Sequence, residues 1–216
     1  MNRWDVVNLV TDHTNAKTYL EIGVSDGQTM SKLRAPFRIG VDPAPHASAV
    51  GHCSIFVGKT SDVFFDMLDR GQLKLPPLDL VFIDSFHEAE LSYREVKNCL
   101  RYLRPNGVIV LHDCNPTTEA MQIVPAIQGE WTGDVWRAIA RLRSEAEHDV
   151  RVVRSDYGIG VVLAGKPARH KIDLGKRWSE LGYADLVARR IELLGLIEPQ
   201  EFLPWLQRAW KRADAA

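Results

Sequence analysis

Two short segments combine residue types that move protons. Asp84-Ser85-Phe86-His87 sets an imidazole three residues after a carboxylate, and His112-Asp113-Cys114-Asn115-Pro116 sets a second imidazole beside a second carboxylate. A neighbouring imidazole takes the proton from an attacking hydroxyl, and a divalent cation acidifies and orients such a hydroxyl. Asp84 and Asp113 are hard oxygen ligands of the kind Mg²⁺ prefers, with His112 a candidate third ligand and His87 a candidate general base. Plainer uses are open for the same residues: Asp84 as a helix cap, His87 on a solvated surface, His112 buried and hydrogen-bonded.

A third segment, Tyr19-Leu20-Glu21-Ile22-Gly23-Val24-Ser25-Asp26-Gly27, runs from an apolar strand into a turn. Gly23 and Gly27 bracket a place where backbone must come close to a ligand at the carboxyl end of a strand. Fifteen residues beyond Gly27, Gly40-Val41-Asp42 ends the next apolar run, and an acid there accepts hydrogen bonds from the two hydroxyls of a ribose. A dinucleotide site needs Gly-x-Gly-x-x-Gly to seat a pyrophosphate on a helix N-terminus. Here the spacing is Gly-x-x-x-Gly, preceded by Glu21 and with Ser25 in the middle. A tight strand–helix turn without a ligand is the alternative.

These residues need a frame to bring them together. Short runs rich in Val and Ile alternate with helical patterns, which predicts a parallel sheet buried on both faces. The expected strands are Thr18–Ile22, Arg38–Val41, Ser54–Val57, Leu78–Ile83, Val108–His112, Val150–Arg154 and Gly158–Leu163. Only Ser155-Asp156-Tyr157 separates the last two, a link fit for a hairpin and too short for a parallel crossover. The fold class is therefore α/β, a Rossmann-like, seven-stranded, mostly parallel sheet with one antiparallel strand and helices on both faces. Ala89, Tyr93, Val96, Leu100 and Leu103 mark an amphipathic helix closed by the turn Arg104-Pro105-Asn106-Gly107. Val135, Ile139, Leu142 and Ala146 mark another, with Asp134 as its N-cap. Acids then stand at the carboxyl ends of strands one, two, four and five, which face one crevice in such a sheet.

The cofactor segment resembles motif I of the class I S-adenosylmethionine (SAM)-dependent methyltransferases. That resemblance implies that Glu21 lies near the methionine part of SAM, that Asp42 holds the ribose, and that Ser61, in the Thr60-Ser61-Asp62 turn, touches the adenosine. Gly23, Ser25, Gly27 and Asp84 complete the implied cofactor set. Phe-Ile-Asp-x-x-His, a helix, Arg-Pro-Asn-Gly and Val-Leu-His-Asp-x-x-Pro resemble bacterial metal-dependent sugar and small-molecule O-methyltransferases over roughly residues 17–165. Carried over, Asp84 and Asp113 bind metal and His87 is the base; Cys114 stands where catechol-type relatives have Asn, so the third ligand is unassigned. The loop from Asn115 to Gly133 shapes the acceptor pocket, with Trp131 and Trp136 either stacking on the acceptor or packing in the core.

Composition sets the outer limits. Lys plus Arg number 27 against 28 Asp plus Glu in 216 residues, a balance that gives no general attraction to nucleic acid. Three scattered cysteines make neither a disulfide framework nor a thiolate zinc site. No signal-peptide pattern and no uncharged apolar run of membrane-spanning length is present, so a cytoplasmic address is expected. Residues 1–165 are expected to form the SAM-binding domain and 166–216 a helical extension packed on it. In that extension Tyr183–Ile197 and Pro199–Arg212 read as two helices that cover the sheet or form a homodimer contact. A nucleic-acid arm built on Arg189, Arg190, Arg208, Lys211 and Arg212 is the weaker alternative. The expected function is SAM-dependent O-methylation of a sugar or other hydroxylated small molecule with a His base and a divalent metal, probed against two alternatives. A nicotinamide-dependent oxidoreductase or epimerase would want the missing third glycine spacing and a Tyr-x-x-x-Lys pair; a non-catalytic SAM-binding module would have no need of His87.

Overall fold

Runs rich in Val, Ile and Leu form the sheet, and two of them, β1 (Thr18–Ile22) and β7 (Ile159–Leu163), are buried along their whole length. The computed structural model describes residues 1–168 and 170–211. The other strands are β2 (Phe37–Val41), β3 (Ile55–Val57), β4 (Leu78–Ile83), β5 (Leu103–Leu111), β6 (Asp149–Val153) and β8 (Leu196–Ile197). They lie in the order β3-β2-β1-β4-β5-β7-β6-β8. β7 pairs antiparallel with both β5 and β6, while the other pairings are parallel, so the expected hairpin and the single reversed strand are present. The sheet has eight strands rather than seven. The extra strand, β8, is two residues long and joins β6 from within the tail, too short to leave a pattern of its own.

Alternate strand residues point to opposite cores. Leu20, Ile22, Val81 and Ile83 meet α3 (Ser61–Asp69), α4 (Ala89–Leu100), α5 (Val135–Glu145) and α6 (Tyr183–Leu194) on one face. Tyr19, Leu80, Phe82 and Val110 meet α1 (Arg3–Thr14), α2 (Ala47–Val50) and α7 (Pro199–Lys211) on the other. Trp136 is fully buried in the first core, which leaves Trp131 as the member of that pair near the pocket. Among the described residues no helix is long and apolar enough to cross a membrane. In the tail Arg189 is paired with Glu192 and Arg190 with Asn115, whereas Arg212 lies outside the described residues.

Two local expectations change. The Arg104–Gly107 segment does not end α4; the helix stops at Leu100 and the segment is the irregular entry to β5, with Asn106 at φ 65° and a register shift opposite it. Asp134 does occupy the N-cap position of α5, yet its side chain serves other partners. Its Oδ1 accepts from the Ala89 amide at 2.7 Å, the first residue of α4, and its Oδ2 accepts from Arg137 at 2.8 Å. Asp134 thus satisfies an orphan donor of the helix that follows the Asp84–His87 turn. Asp134→Ala is expected to cost about 1 kcal/mol, read as a lower urea midpoint at unchanged slope.

Candidate active site

The order of the strands reverses at β1 and β4, and their carboxyl ends open a crevice there. It is a cavity of about 520 Å³. Of the residues singled out from the sequence, Glu21, Gly23, Ser25, Asp42, Ser61, Asp84, His87, His112 and Asp113 line it. Gly27 does not; a Cβ there would lie 2.9 Å from the Cα of Ala49, so this glycine lets the turn pack on α2. Gly23, at φ +86°, is needed for a related reason: a Cβ would sit 2.0 Å from the Asp84 carbonyl oxygen. The close approach that it permits brings the β1 turn against the end of β4 and sets Asp84 beside the crevice.

On the β2 side, both Asp42 oxygens hold the turns around the cavity. Oδ2 accepts from the Ser25 amide at 2.8 Å and Oδ1 from the Ala44 amide at 2.7 Å, each keeping lone-pair capacity for a ligand hydroxyl. Glu21 is 1 % exposed and accepts from the Tyr19 hydroxyl at 2.6 Å. Burial pushes its carboxyl up to about 8, against the opposing pull of the Tyr19 hydrogen bond. Next to Ser61 stands a residue that the sequence did not single out. Glu95 on α4 is buried and accepts from Ser61 Oγ at 2.6 Å and Ser85 Oγ at 2.7 Å, with burial pushing it up to about 7 despite these bonds. The available signal was the polar stripe Ser92, Glu95, Cys99 at helical spacing on a buried face.

The second half of the crevice is a cluster of carboxylates and imidazoles. His87 Nε2 lies 3.1 Å from Asp84 Oδ1, and its Nδ1 lies 3.2 Å from Asp113 Oδ2 without hydrogen-bond alignment. One donor atom from each of Asp84, His87 and Asp113 falls within 4.8 Å of the others, a group able to hold a cation. His112 stands beside that group. Its Nδ1 is 3.4 Å from Asp84 and 3.3 Å from Asp113, and its Nε2 is 3.5 Å from Asp156. Burial alone would lower the His112 pKa, but the carboxylates of Asp113, Asp156 and Asp84 around it push it up to about 12. In the ligand-free chain the three carboxylates thus favour the protonated ring. The same contest leaves His87 raised: burial lowers it, while the Asp84 hydrogen bond and the Asp113 charge outweigh that. Asp84 is held below the usual carboxylate range, its burial overcome by bonds to the two imidazoles. His87 and Asp113 both have left-handed backbone, at φ 55° and 59°, a conformation that non-glycine residues seldom adopt and that clusters at functional sites.

Over this cluster lies the 115–133 loop. Trp131 stacks on the His87 ring, with centroids 5.0 Å apart and planes 24° from parallel, and its Nε1 donates to Ile123 O at 2.6 Å. The Asp134 amide donates to His87 O at 3.1 Å, tying the end of the loop to the same residue. Across the cluster the Tyr157 ring meets His112 edge-on, and its hydroxyl donates to Glu130 at 2.7 Å. The loop start is fixed from the tail, where Arg190 donates to Asn115 Oδ1 and Pro116 O and Tyr183 donates to Thr117 O. Cys114 turns its thiol into the core toward the carbonyls of His112 and Leu111, away from the carboxylates.

Residues 20–114 match the family model described as a methyltransferase domain. No curated protein matches the chain. Among solved structures, the O-methyltransferase TomG from Streptomyces achromogenes, involved in tomaymycin synthesis and in complex with SAM, superposes with a TM-score of 0.56. It is 17% identical over 74% of this chain and 78% of that one. The O-methyltransferase from Bacillus cereus, in complex with S-adenosylhomocysteine (SAH), has a TM-score of 0.55 at 15% identity over 74% and 80%. The MycE methyltransferase from the mycinamycin biosynthetic pathway, in complex with Mg, SAH and mycinamycin VI, has a TM-score of 0.50. It is 15% identical over 76% of this chain and 49% of that one. At these identities the likenesses establish the fold.

Glu95 gives the site a pH signature in stability. In the folded chain its carboxyl keeps a proton up to about pH 7, whereas an unfolded one releases it near 4.5. The unfolded state thus gains as pH rises through that window, and stability falls by about 3 kcal/mol. Glu95→Gln, neutral throughout, should remove that slope. Urea unfolding of both proteins at pH 5 and pH 8 checks this, and parallel pH trends would contradict it.

Proposed function

We propose that this chain, a class I SAM-dependent methyltransferase, transfers the methyl group of SAM to a hydroxyl of a small molecule in the crevice between Asp42 and Asp113. The observation that carries the reading is a proton acceptor bracketed by two carboxylates on the wall of the same cavity that the glycine turn and Asp42 line: His87 between Asp84 and Asp113. The structural neighbours from Bacillus cereus and Streptomyces achromogenes, O-methyltransferases in complex with SAH and SAM, support it.

In this reading Asp42 accepts from the ribose hydroxyls, the Ser61 turn meets the adenosine, and Glu21 receives the ammonium of the methionine part. The sulfonium then faces Asp84, and its positive charge is compensated by that carboxylate. Methyl transfer is an in-line attack by the acceptor oxygen on the sulfonium carbon, and the oxygen loses its proton as the bond forms. His87 takes that proton. In the ligand-free chain its two carboxylate neighbours favour the protonated ring; an incoming sulfonium offsets their charge and favours the neutral ring that a base requires. Stacking on Trp131 holds the ring plane, and the Asp134 amide on His87 O holds the backbone. His112, protonated and enclosed, keeps Asp84, Asp113 and Asp156 together without titrating near neutrality.

The two carboxylates also fit a divalent cation, since Asp84 and Asp113 offer oxygens within 4.8 Å of each other beside His87. Asp84 and Asp113 would hold it, with Mg²⁺ or Mn²⁺ matching the oxygen donors. When bound, such an ion acidifies and orients the acceptor hydroxyl. On the acceptor side the rim combines Trp131 with Phe86, which is 58 % exposed. A ring with an apolar face and a hydroxyl edge suits it, whether a sugar or an aromatic.

Binding is tested by thermal shift with SAM, SAH and NADH. SAM and SAH are expected to raise the melting temperature through binding to the native state; stabilisation by NADH alone would overturn the reading. His87→Ala is expected to keep SAM affinity while turnover, on a panel of phenols and glycosides, falls by roughly 10²–10⁴. An unchanged rate would leave His87 a structural residue. Chelation should abolish turnover and Mg²⁺ or Mn²⁺ restore it, and an indifferent rate would remove the metal from the account.

A further inference from the structure

We infer that Arg3, on the first turn of the N-terminal helix, binds the carboxylate at the amino-acid end of the cofactor. This rests on the reading that the crevice takes SAM. SAM carries a sulfonium, an ammonium and a carboxylate. The acids Asp26 and Asp84, joined by Glu21 once an ammonium beside it favours its charged form, suit the two cations and repel the carboxylate, so its binding needs a positive group. Apart from His87 and His112, the cations lining the cavity among the described residues are Lys59 and Arg3. Lys59 lies beside Thr60 and Ser61, on the adenosine side.

Arg3 enters from the opposite wall. Its Nε donates to Thr29 Oγ1 at 3.1 Å and lies 3.9 Å from Asp84 Oδ2. Its backbone amide donates to Asp156 Oδ2 at 2.8 Å, and its Nη1 reaches the same oxygen at 3.4 Å. Nη2 has a long contact of 3.5 Å with Gln28. The guanidinium is therefore fixed at its base and long-bonded at its tips. A guanidinium has five N–H donors; three are used here, two of them at the limit of hydrogen-bond distance. The remaining donors form the kind of fork that takes a carboxylate in two parallel bonds. Arg3 is also close enough to Glu21 to favour its charged form. The ammonium and the carboxylate of one amino-acid end thus find Glu21 and Arg3 lining the same cavity. The Asp156 bonds join α1 to the β6–β7 hairpin, so the helix that brings Arg3 also closes that end of the crevice.

The alternative is a purely structural role, a latch between Arg3 and Asp156. Calorimetric titration separates the two with a pair of ligands that differ in the carboxylate alone: SAM, and decarboxylated SAM, which keeps the sulfonium and the ammonium. The proteins are the wild type, Arg3→Gln and Arg3→Lys. Arg3→Gln is expected to weaken SAM by about 10- to 100-fold, as for a lost charge-assisted pair, and decarboxylated SAM by less than about threefold. Arg3→Lys should fall between, keeping the charge and losing the fork. Equal losses for both ligands would show a latch only, and no loss for either would remove Arg3 from the site; both overturn the assignment while leaving the cofactor reading intact. A wild type that binds neither ligand would overturn the cofactor reading, and this assignment with it.

Discussion

Asp84, Asp113 and Asp156 converge on the His112 imidazole at 3.3–3.5 Å, in a place nearly closed to water. Carboxylates so placed repel one another, and a buried charge without a partner is costly. The imidazolium is what allows them to share one end of the sheet, and the rest of the site depends on that. His87 then spans Asp84 and Asp113, Trp131 stacks on His87, and Tyr157 closes against His112. Arg3 meets Asp156 from outside and completes the compensation.

Backbone pairing delivers these groups to one point. The Asp84 amide donates to Ile22 O and the His112 amide to Ile83 O, so each charged group stands one residue beyond paired strands. Rigid strands set the Cα positions, and left-handed backbone at His87 and Asp113 then aims the side chains. The 115–133 loop, by contrast, is held at its start by groups distant in sequence, Tyr183 and Arg190 of α6 on residues 115–117, while Asp134 at its end ties it to His87 and α4. The tail therefore bears on the site by holding this loop.

What the sequence made legible follows from the range of the interactions involved. β1 and β4 are mostly apolar runs, buried but for Asp79, and their bounds are as expected. The residues at their ends are legible for the same reason, since the period of a strand fixes where Glu21 and Asp84 emerge. β8 has two residues, and its existence depends on β6, about forty positions earlier. Helix α1 was open to reading in one respect, the Asn2–Asp5 capping pair, which precedes its apolar face of Val6, Val7 and Val10. Arg3, Glu95 and Asp156 were out of reach because their roles come from contacts 153 and 34 residues away in the chain. Asp134 shows the same limit on a smaller scale: its position marks one helix start, and its hydrogen bond serves another 45 residues off.

The central claim is that the imidazole–carboxylate cluster faces the reacting atom of the cofactor. A crystal structure of the chain with SAH tests it most directly. The adenosyl group is expected between Asp42 and Ser61 and the sulfur directed at Asp84, His87 and Asp113, with room on its far side for an acceptor under Trp131. SAH bound with its sulfur turned away from that cluster, or outside the crevice, would contradict it.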